Sequence, residues 1–143
     1  MLIYTHPSCL DHDPGAGHPE HPGRLRAVLE ALTSAFADQL RFVEAPAATD
    51  AQLLRVHSAR LLAELGEASP SVGRHRIDAD TAMSPASLDA SLRSCGAVCA
   101  AVDAVLSGPE RRVFCAVRPP GHHSSADQAM GFCLLNAIAL GAA

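Results

Sequence analysis

An α/β fold with a parallel sheet and helices on both faces, in one unit covering residues 1–143, is predicted by three features of the sequence. Short runs of strand-forming residues alternate with segments of helical period. The strongest helical pattern, residues 85–107, is broken by Gly108-Pro109 and followed at once by the apolar run 112–117. That run ends on Arg118-Pro119-Pro120-Gly121-His122-His123. It thus places two adjacent histidines on the loop leaving a strand, where α/β sheets usually carry their chemistry.

Leu2-Ile3-Tyr4 is the first predicted strand. The segment after it holds His6, His12, His18 and His21 among Pro7, Pro14, Gly15, Gly17, Pro19, Pro22 and Gly23, which predicts an irregular loop. Histidines at such irregular spacing fit turn caps and carboxylate partners better than a metal site. Leu25, Val28, Leu29, Leu32 and Phe36 then recur at helical spacing after Pro22-Gly23. Arg24 and Arg26 fall in the first turn, an unfavourable place for a cation beside the helix dipole. They read as solvated arginines unless one has another task.

Residues 40–43 predict a second strand. Thr49-x-x-Gln52 is a capping-box sequence for a short helix. Ser58 is placed to cap the next helix, with Gly66 as its predicted end and His57 as a packed or hydrogen-bonded histidine at the junction. Residues 66–76 read as a surface loop and 77–81 as a short extended segment. Ser84 and Pro85 are predicted to open the long helix, whose stripe is Leu88, Leu92, Cys95, Cys99, Val102 and Leu106. Beyond the paired histidines, residues 124–130 form a polar loop, and 132–143 are predicted to be helical.

The composition excludes several classes. A chain that is 48% hydrophobic and 18% charged can form a core and is not a disordered segment. A net charge of −4 without a basic run argues against a nucleic-acid partner. No stretch is apolar enough to predict a membrane span, and residues 1–6 lack the features of a signal peptide. The cysteines number five with no C-x-x-C spacing, which fits a reducing, cytoplasmic setting better than a disulfide framework.

The residues that carry chemistry are His122 and His123. One imidazole can act as a base while its neighbour carries charge, provided their surroundings differ and each ring has a partner fixing its tautomer. A bare His-His pair is a weak signal. The run Arg-Pro-Pro-Gly-His-His at 118–123, followed by Gly-Phe-Cys-Leu-Leu-Asn at 131–136, is a strong one.

With these motifs, and with His18-Pro19-Glu20-His21-Pro22-Gly23-Arg24-Leu25 and Val56-His57-Ser58, the sequence resembles the histone deacetylase family. It looks most like the class II and bacterial branches and the acetylpolyamine amidohydrolases. The resemblance implies an arginase/deacetylase-like sheet, of which this chain would be the N-terminal portion. It implies a zinc-dependent amidohydrolase acting on acetyl-lysine peptides or small acyl amides such as acetylpolyamines. His123 would be the general base toward metal-bound water. His122 would stabilise the oxyanion and the leaving amine. Gly131 and Phe132 would wall the channel for the acyl-lysine stem, and Arg24 would handle released acetate in an inner channel. The two aspartates and one histidine that hold zinc in this family, together with the carboxylates behind the histidines, are expected beyond residue 143. No metal ligand is therefore assigned here.

Two further readings compete. The chain could be a non-catalytic fragment or oligomerising module of the same fold, pairing with itself or with a complementary fragment. It could also be a cysteine hydrolase using Cys133 with His122 or His123, although Cys133, expected to open an apolar helix, fits a packed thiol better.

Overall fold

The strand-forming runs assemble as the periodicity predicts. In a computed structural model, which describes residues 1–143 apart from the side chain of Ala37, β1 (Leu2–Thr5) is the central strand. It pairs in parallel with β2 (Arg41–Glu44) on one side and with the third strand of this sheet on the other. That third strand is β5 (Val113–Cys115), so the sheet order is β2-β1-β5. A separate antiparallel hairpin pairs the two-residue strands β3 (His75–Arg76) and β4 (Ala82–Met83). The helices are α1 (Ser8–Asp11), α2 (Pro22–Phe36), α3 (Asp50–Leu53), α4 (Ala59–Ala68), α5 (Ser87–Leu106) and α6 (Ala137–Ala142).

Strand alternation explains the layering. The register places Ile3 between Phe42 and Phe114 on one face. There Ile3 packs in a core with Cys9, Leu25 and Ala116, joined by Leu29 and Leu32 of α2. Cys115 points the other way, and its thiol reaches the carbonyl of Ala97 in α5 at 3.5 Å. Helices α2 and α5 therefore cover opposite faces, as expected for parallel strands. A second core lies beyond the sheet, where Cys95 and Cys99 of α5 meet Leu53, Leu61, Leu65, Leu134, Leu135 and Leu140. The two cysteines pack as small apolar residues, and burial pushes the Cys95 thiol up to about 12.

The local capping signals hold. Thr49 accepts the amide of Gln52 while the Gln52 side chain accepts the amide of Thr49 at 2.9 Å, a complete capping box. Ser58 accepts the amide of Leu61 at 3.2 Å. The predicted end at Gly66 is not observed: helix α4 continues through it to Ala68, since a glycine in a right-handed conformation does not stop a helix, so the predicted loop starts only at Ser69.

Three further expectations change. Helix α5 starts at Ser87, because Ser84-Pro85-Ala86 forms a turn. In that turn Ser84 donates its amide to the Ser87 hydroxyl at 2.7 Å and accepts the Ser87 amide. Residues 77–81 are a tight loop between β3 and β4, since Asp78 accepts the amides of Asp80 and Thr81 with its own carboxylate. The helix predicted from residue 132 begins only at Ala137, with Asn136 as its cap. Residues 130–133 are occupied by a turn, described below.

Helix α5 approaches the segment after β2 at Gly96. A Cβ there would lie 2.0 Å from the carbonyl oxygen of Pro46, and the neighbouring Ala48 amide is already bonded to Leu92 O at 2.9 Å. Gly96→Ala is therefore expected to destabilise the fold by about 1–3 kcal/mol through overpacking. Urea denaturation read by circular dichroism measures this.

Candidate functional site

The loop after β5 is anchored before it reaches the histidines. Arg118 is 3% exposed. Its Nε and Nη2 donate to the two carboxylate oxygens of Glu20, both at 2.7 Å. Its Nη1 donates to the carbonyls of Cys9 at 2.6 Å and His12 at 3.0 Å. Glu20 is equally buried, and burial alone would raise its carboxyl. Hydrogen bonds from His12 and Arg118, with their charges, overcome this and hold it at about 2. The network continues through His12, whose Nε2 lies 3.5 Å from Glu20 and whose Nδ1 pairs with the Ser87 hydroxyl at 2.6 Å. Most of the loop histidines thus serve as structural hydrogen-bonding groups. His6 bonds Ser8, His12 bonds Ser87, and His18 bridges two loops. Among the described residues, no three His, Cys, Asp or Glu side chains are grouped so that they could hold a metal.

His122 and His123 stand four and five residues past Arg118, with ring centroids 4.2 Å apart and planes inclined by 52°. Both side chains are exposed, and among the described residues neither ring has a hydrogen-bond partner. Their backbone is fixed instead. Both histidine amides donate to the thiol sulfur of Cys133 at 3.4 Å, and the thiol donates to Gly131 O at 3.3 Å. Cys133 is fully buried at the end of a turn and opens no helix. Its sulfur faces backbone amides, so the geometry of a cysteine nucleophile paired with an imidazole is not formed.

That turn is a two-residue hairpin. Met130 and Cys133 exchange both backbone hydrogen bonds at 3.0 Å, and the central residues Gly131 and Phe132 have φ of 58° and 68°. Two positive φ values in such a hairpin are the signature of a type I′ turn. Gly131 is needed there, since a Cβ would also lie 2.9 Å from the Cβ of His123. Among the described residues Phe132 is the one non-glycine residue at positive φ, a conformation that costs a bulky residue on the order of 1–3 kcal/mol. Its amide donates to the Thr81 hydroxyl at 3.1 Å. Its ring meets the edge of the His18 imidazole, with centroids 4.7 Å apart. His18 in turn donates from Nε2 to Asp80 O at 3.0 Å and accepts the Glu20 amide on Nδ1 at 3.0 Å.

The five residues singled out by sequence lie around one cleft of about 640 Å³. His122, His123, Gly131, Phe132 and Arg24 line it, joined by Pro19, Glu20, Asp80, Pro120 and Met130. Arg24 is 58% exposed and reaches Glu20 at 3.3 Å, a contact that accounts for a cation in the first turn of α2. Sequence reasoning assigned no role to Glu20, Arg118, Thr81 or His18. The available hint was an Arg and a Glu, each inside a distinctive motif and without an evident local partner. His57 supports the loop from below. Its Nδ1 donates to Ser125 O at 3.1 Å and its Nε2 accepts the Asn136 amide at 2.9 Å. Burial pushes its pKa below 6.5.

These groups set an acid sensitivity. The neutral His57 contributes stability that is present above its unfolded value of 6.5 and is lost as pH falls below it. Glu20 contributes stability that is present above 4.5 and is lost as pH falls toward its folded value of about 2. Urea midpoints measured between pH 8 and 2 are expected to fall in these two windows, with His57→Gln abolishing the upper one. Glu20→Gln, which leaves Arg118 buried and unpaired, is expected to cost about 3–5 kcal/mol at neutral pH.

The chain is similar to known proteins over most of its length. The histone deacetylase domain profile matches residues 18–143. A histone deacetylase-like amidohydrolase of Pseudomonas aeruginosa is 40% identical over 87% of this chain, which covers 33% of that protein. A probable deacetylase of Methanothermobacter thermautotrophicus is 37% identical over 97% of this chain, covering 41% of the relative. The crystal structure of the HDA15 HD domain superposes with a TM-score of 0.92 at 29% identity, over 99% of this chain and 41% of that one. The chain thus spans less than half the length of these relatives. Since the profile takes in both the Glu20 loop and the paired-histidine loop that Arg118 ties together, the chain belongs to the histone deacetylase family.

Proposed function

We propose that this chain supplies the paired-histidine side of a deacetylase-like amidohydrolase site, acting on an acyl amide such as an acetyl-lysine peptide or an acetylpolyamine. The observation that carries the reading is the convergence of His122, His123, Gly131, Phe132 and Arg24 on one cleft. The amidohydrolase and deacetylase names of the relatives support it. In this reading the substrate's aliphatic stem lies against Phe132 and Gly131, an apolar contact suited to methylenes. His123 takes a proton from the attacking water as its oxygen bonds to the amide carbon. His122 hydrogen-bonds the developing oxyanion and gives a proton to the nitrogen as the C–N bond breaks. Arg24, on the rim of the same cleft, pairs with the carboxylate product.

Zinc is the cofactor that the complete family domain implies, where it would polarise the amide and activate water. The described residues do not group a ligand set for it, so no step above is assigned to it. Among the described residues no helix is long and apolar enough to cross a membrane. The five free thiols suit a reducing, cytoplasmic location.

In a completed family domain carrying this segment, His123→Ala is expected to lower kcat by about 10²- to 10⁴-fold, with a much smaller change in substrate affinity. Arg24→Ala should slow acetate release. Steady-state and single-turnover kinetics on an acetyl-lysine peptide separate these effects. Unchanged turnover in His123→Ala would remove the base assignment.

A second reading, an oligomerising or complementing module, is favoured by the sheet edge. Among the described residues β5 pairs only with β1, and Phe114 within it is 42% exposed. Ile138 of α6 and Leu106 of α5 are 62% and 79% exposed. An open strand edge with apolar neighbours favours association. Light scattering across a concentration series should show residues 1–143 self-associating, and a monomer at every concentration would exclude it.

A further inference from the structure

Phe132 occupies a backbone conformation that its side chain resists, so a specific contact must hold it there. We propose that Thr81 is a positioning residue for the cleft wall. Its hydroxyl keeps Phe132 in the left-handed conformation and so fixes where the aromatic ring stands beside His122 and His123. The functional half of this inference rests on the acyl-amide reading; the conformational half does not.

Thr81 is 1% exposed, and each of its polar groups is engaged. Its amide donates to the Asp78 carboxylate at 2.7 Å, and its carbonyl accepts the Ile77 amide at 2.9 Å. Its hydroxyl proton goes to the Asp80 carboxylate at 3.1 Å. The hydroxyl oxygen is thereby committed as an acceptor, and the group it accepts from is the Phe132 amide at 3.1 Å. In a two-residue hairpin the amide of the second central residue takes no part in the ladder between the flanking residues. Without Thr81 it would be a half-buried donor with no partner, and the chain could satisfy it only by turning. Asp80, which orients the hydroxyl, is itself fixed through its carbonyl by His18, the residue whose ring packs on Phe132. The β3–β4 hairpin and the N-terminal loop therefore converge on one strained residue of the wall. No other part of that hairpin reaches it by a hydrogen bond among the described residues.

Thr81→Val keeps the shape and removes the acceptor, whereas Thr81→Ser keeps the acceptor. In residues 1–143, the three-bond amide coupling and carbon shifts of Phe132 report its φ directly. The Val variant is expected to move Phe132 out of positive φ and to speed exchange of its amide about ten-fold or more, and the Ser variant to restore both. An unchanged φ and unchanged exchange in Thr81→Val would overturn the proposal. If Thr81→Val does not fold, the same change in a Phe132→Gly background decides it. Glycine adopts this conformation freely, so the double variant should fold, and its failure to fold would show that Thr81 acts on something other than Phe132. In a completed family domain carrying this segment, Thr81→Val should raise KM for an Nε-acetyl-lysine peptide on the order of ten-fold with kcat little changed, and Thr81→Ser should be near wild type. A loss confined to kcat would overturn the wall role. If the unaltered protein hydrolyses no acyl amide, the acyl-amide reading fails, and the conformation of Phe132 still decides whether Thr81 holds it.

Discussion

The ion pair between Arg118 and Glu20 is the contact on which the arrangement of the site depends. Both groups are withdrawn from water, at a desolvation cost of several kcal/mol each. The bidentate geometry and the two carbonyls of Cys9 and His12 offset that cost. A pair of this kind need add little net stability compared with well-packed apolar residues of the same size. Its effect is on geometry. Four hydrogen bonds from one planar guanidinium fix the exit of β5 against the end of α1 and the loop that leads into α2. The paired histidines follow directly, so their placement relative to the N-terminal loop is set by this one side chain.

The same pair determines the charge that the cleft presents. Glu20 carries a single carboxylate between two guanidinium groups. Arg118 takes both oxygens at 2.7 Å, whereas Arg24 makes one longer contact at 3.3 Å and stays largely in solvent. The carboxylate is thus neutralised mainly by the buried arginine, and Arg24 retains most of its positive charge. Its position in the first turn of α2 adds the positive end of the helix dipole. An arginine that is unfavourable for its helix is thereby made favourable for an anion.

What could be read from the sequence follows the range of the forces involved. The capping box at Thr49, the Ser58 cap and the strand before Arg118 depend on neighbours a few residues away, and all are found. Of the stripe predicted on α5 only Cys95 and Cys99 are buried, because Ser87, Ser91 and Ser94 also turn inward, and Leu106 is 79% exposed. The Arg118–Glu20 pair spans 98 positions, and no local pattern announces it. The start of α6 was misplaced for a different reason. Residues 132–136 have the composition of a buried helix, but the turn at Gly131-Phe132 is stabilised by Thr81 and His18, from distant segments. Tertiary contacts overrode local preference there. The residues that line the cleft were legible because they lie within three compact motifs, 18–25, 118–123 and 131–136. The groups that hold them were not, because they sit one contact further out.

The paired histidines separate two requirements that a catalytic imidazole has. Their backbone is rigid: both amides end on one buried sulfur, and Gly131 packs against His123 so closely that no side chain would fit between them. Their rings, by contrast, have no hydrogen-bond partner among the described residues. A backbone held in this way fixes where the two imidazoles can reach. It does not fix which nitrogen of each ring carries the proton, since that depends on what the far nitrogen meets. Position and protonation are therefore separable in this fold. The first is determined by Cys133, Arg118 and the turn at Phe132. The second is left to whatever carboxylate or carbonyl approaches the exposed rings, which stand 4.2 Å apart.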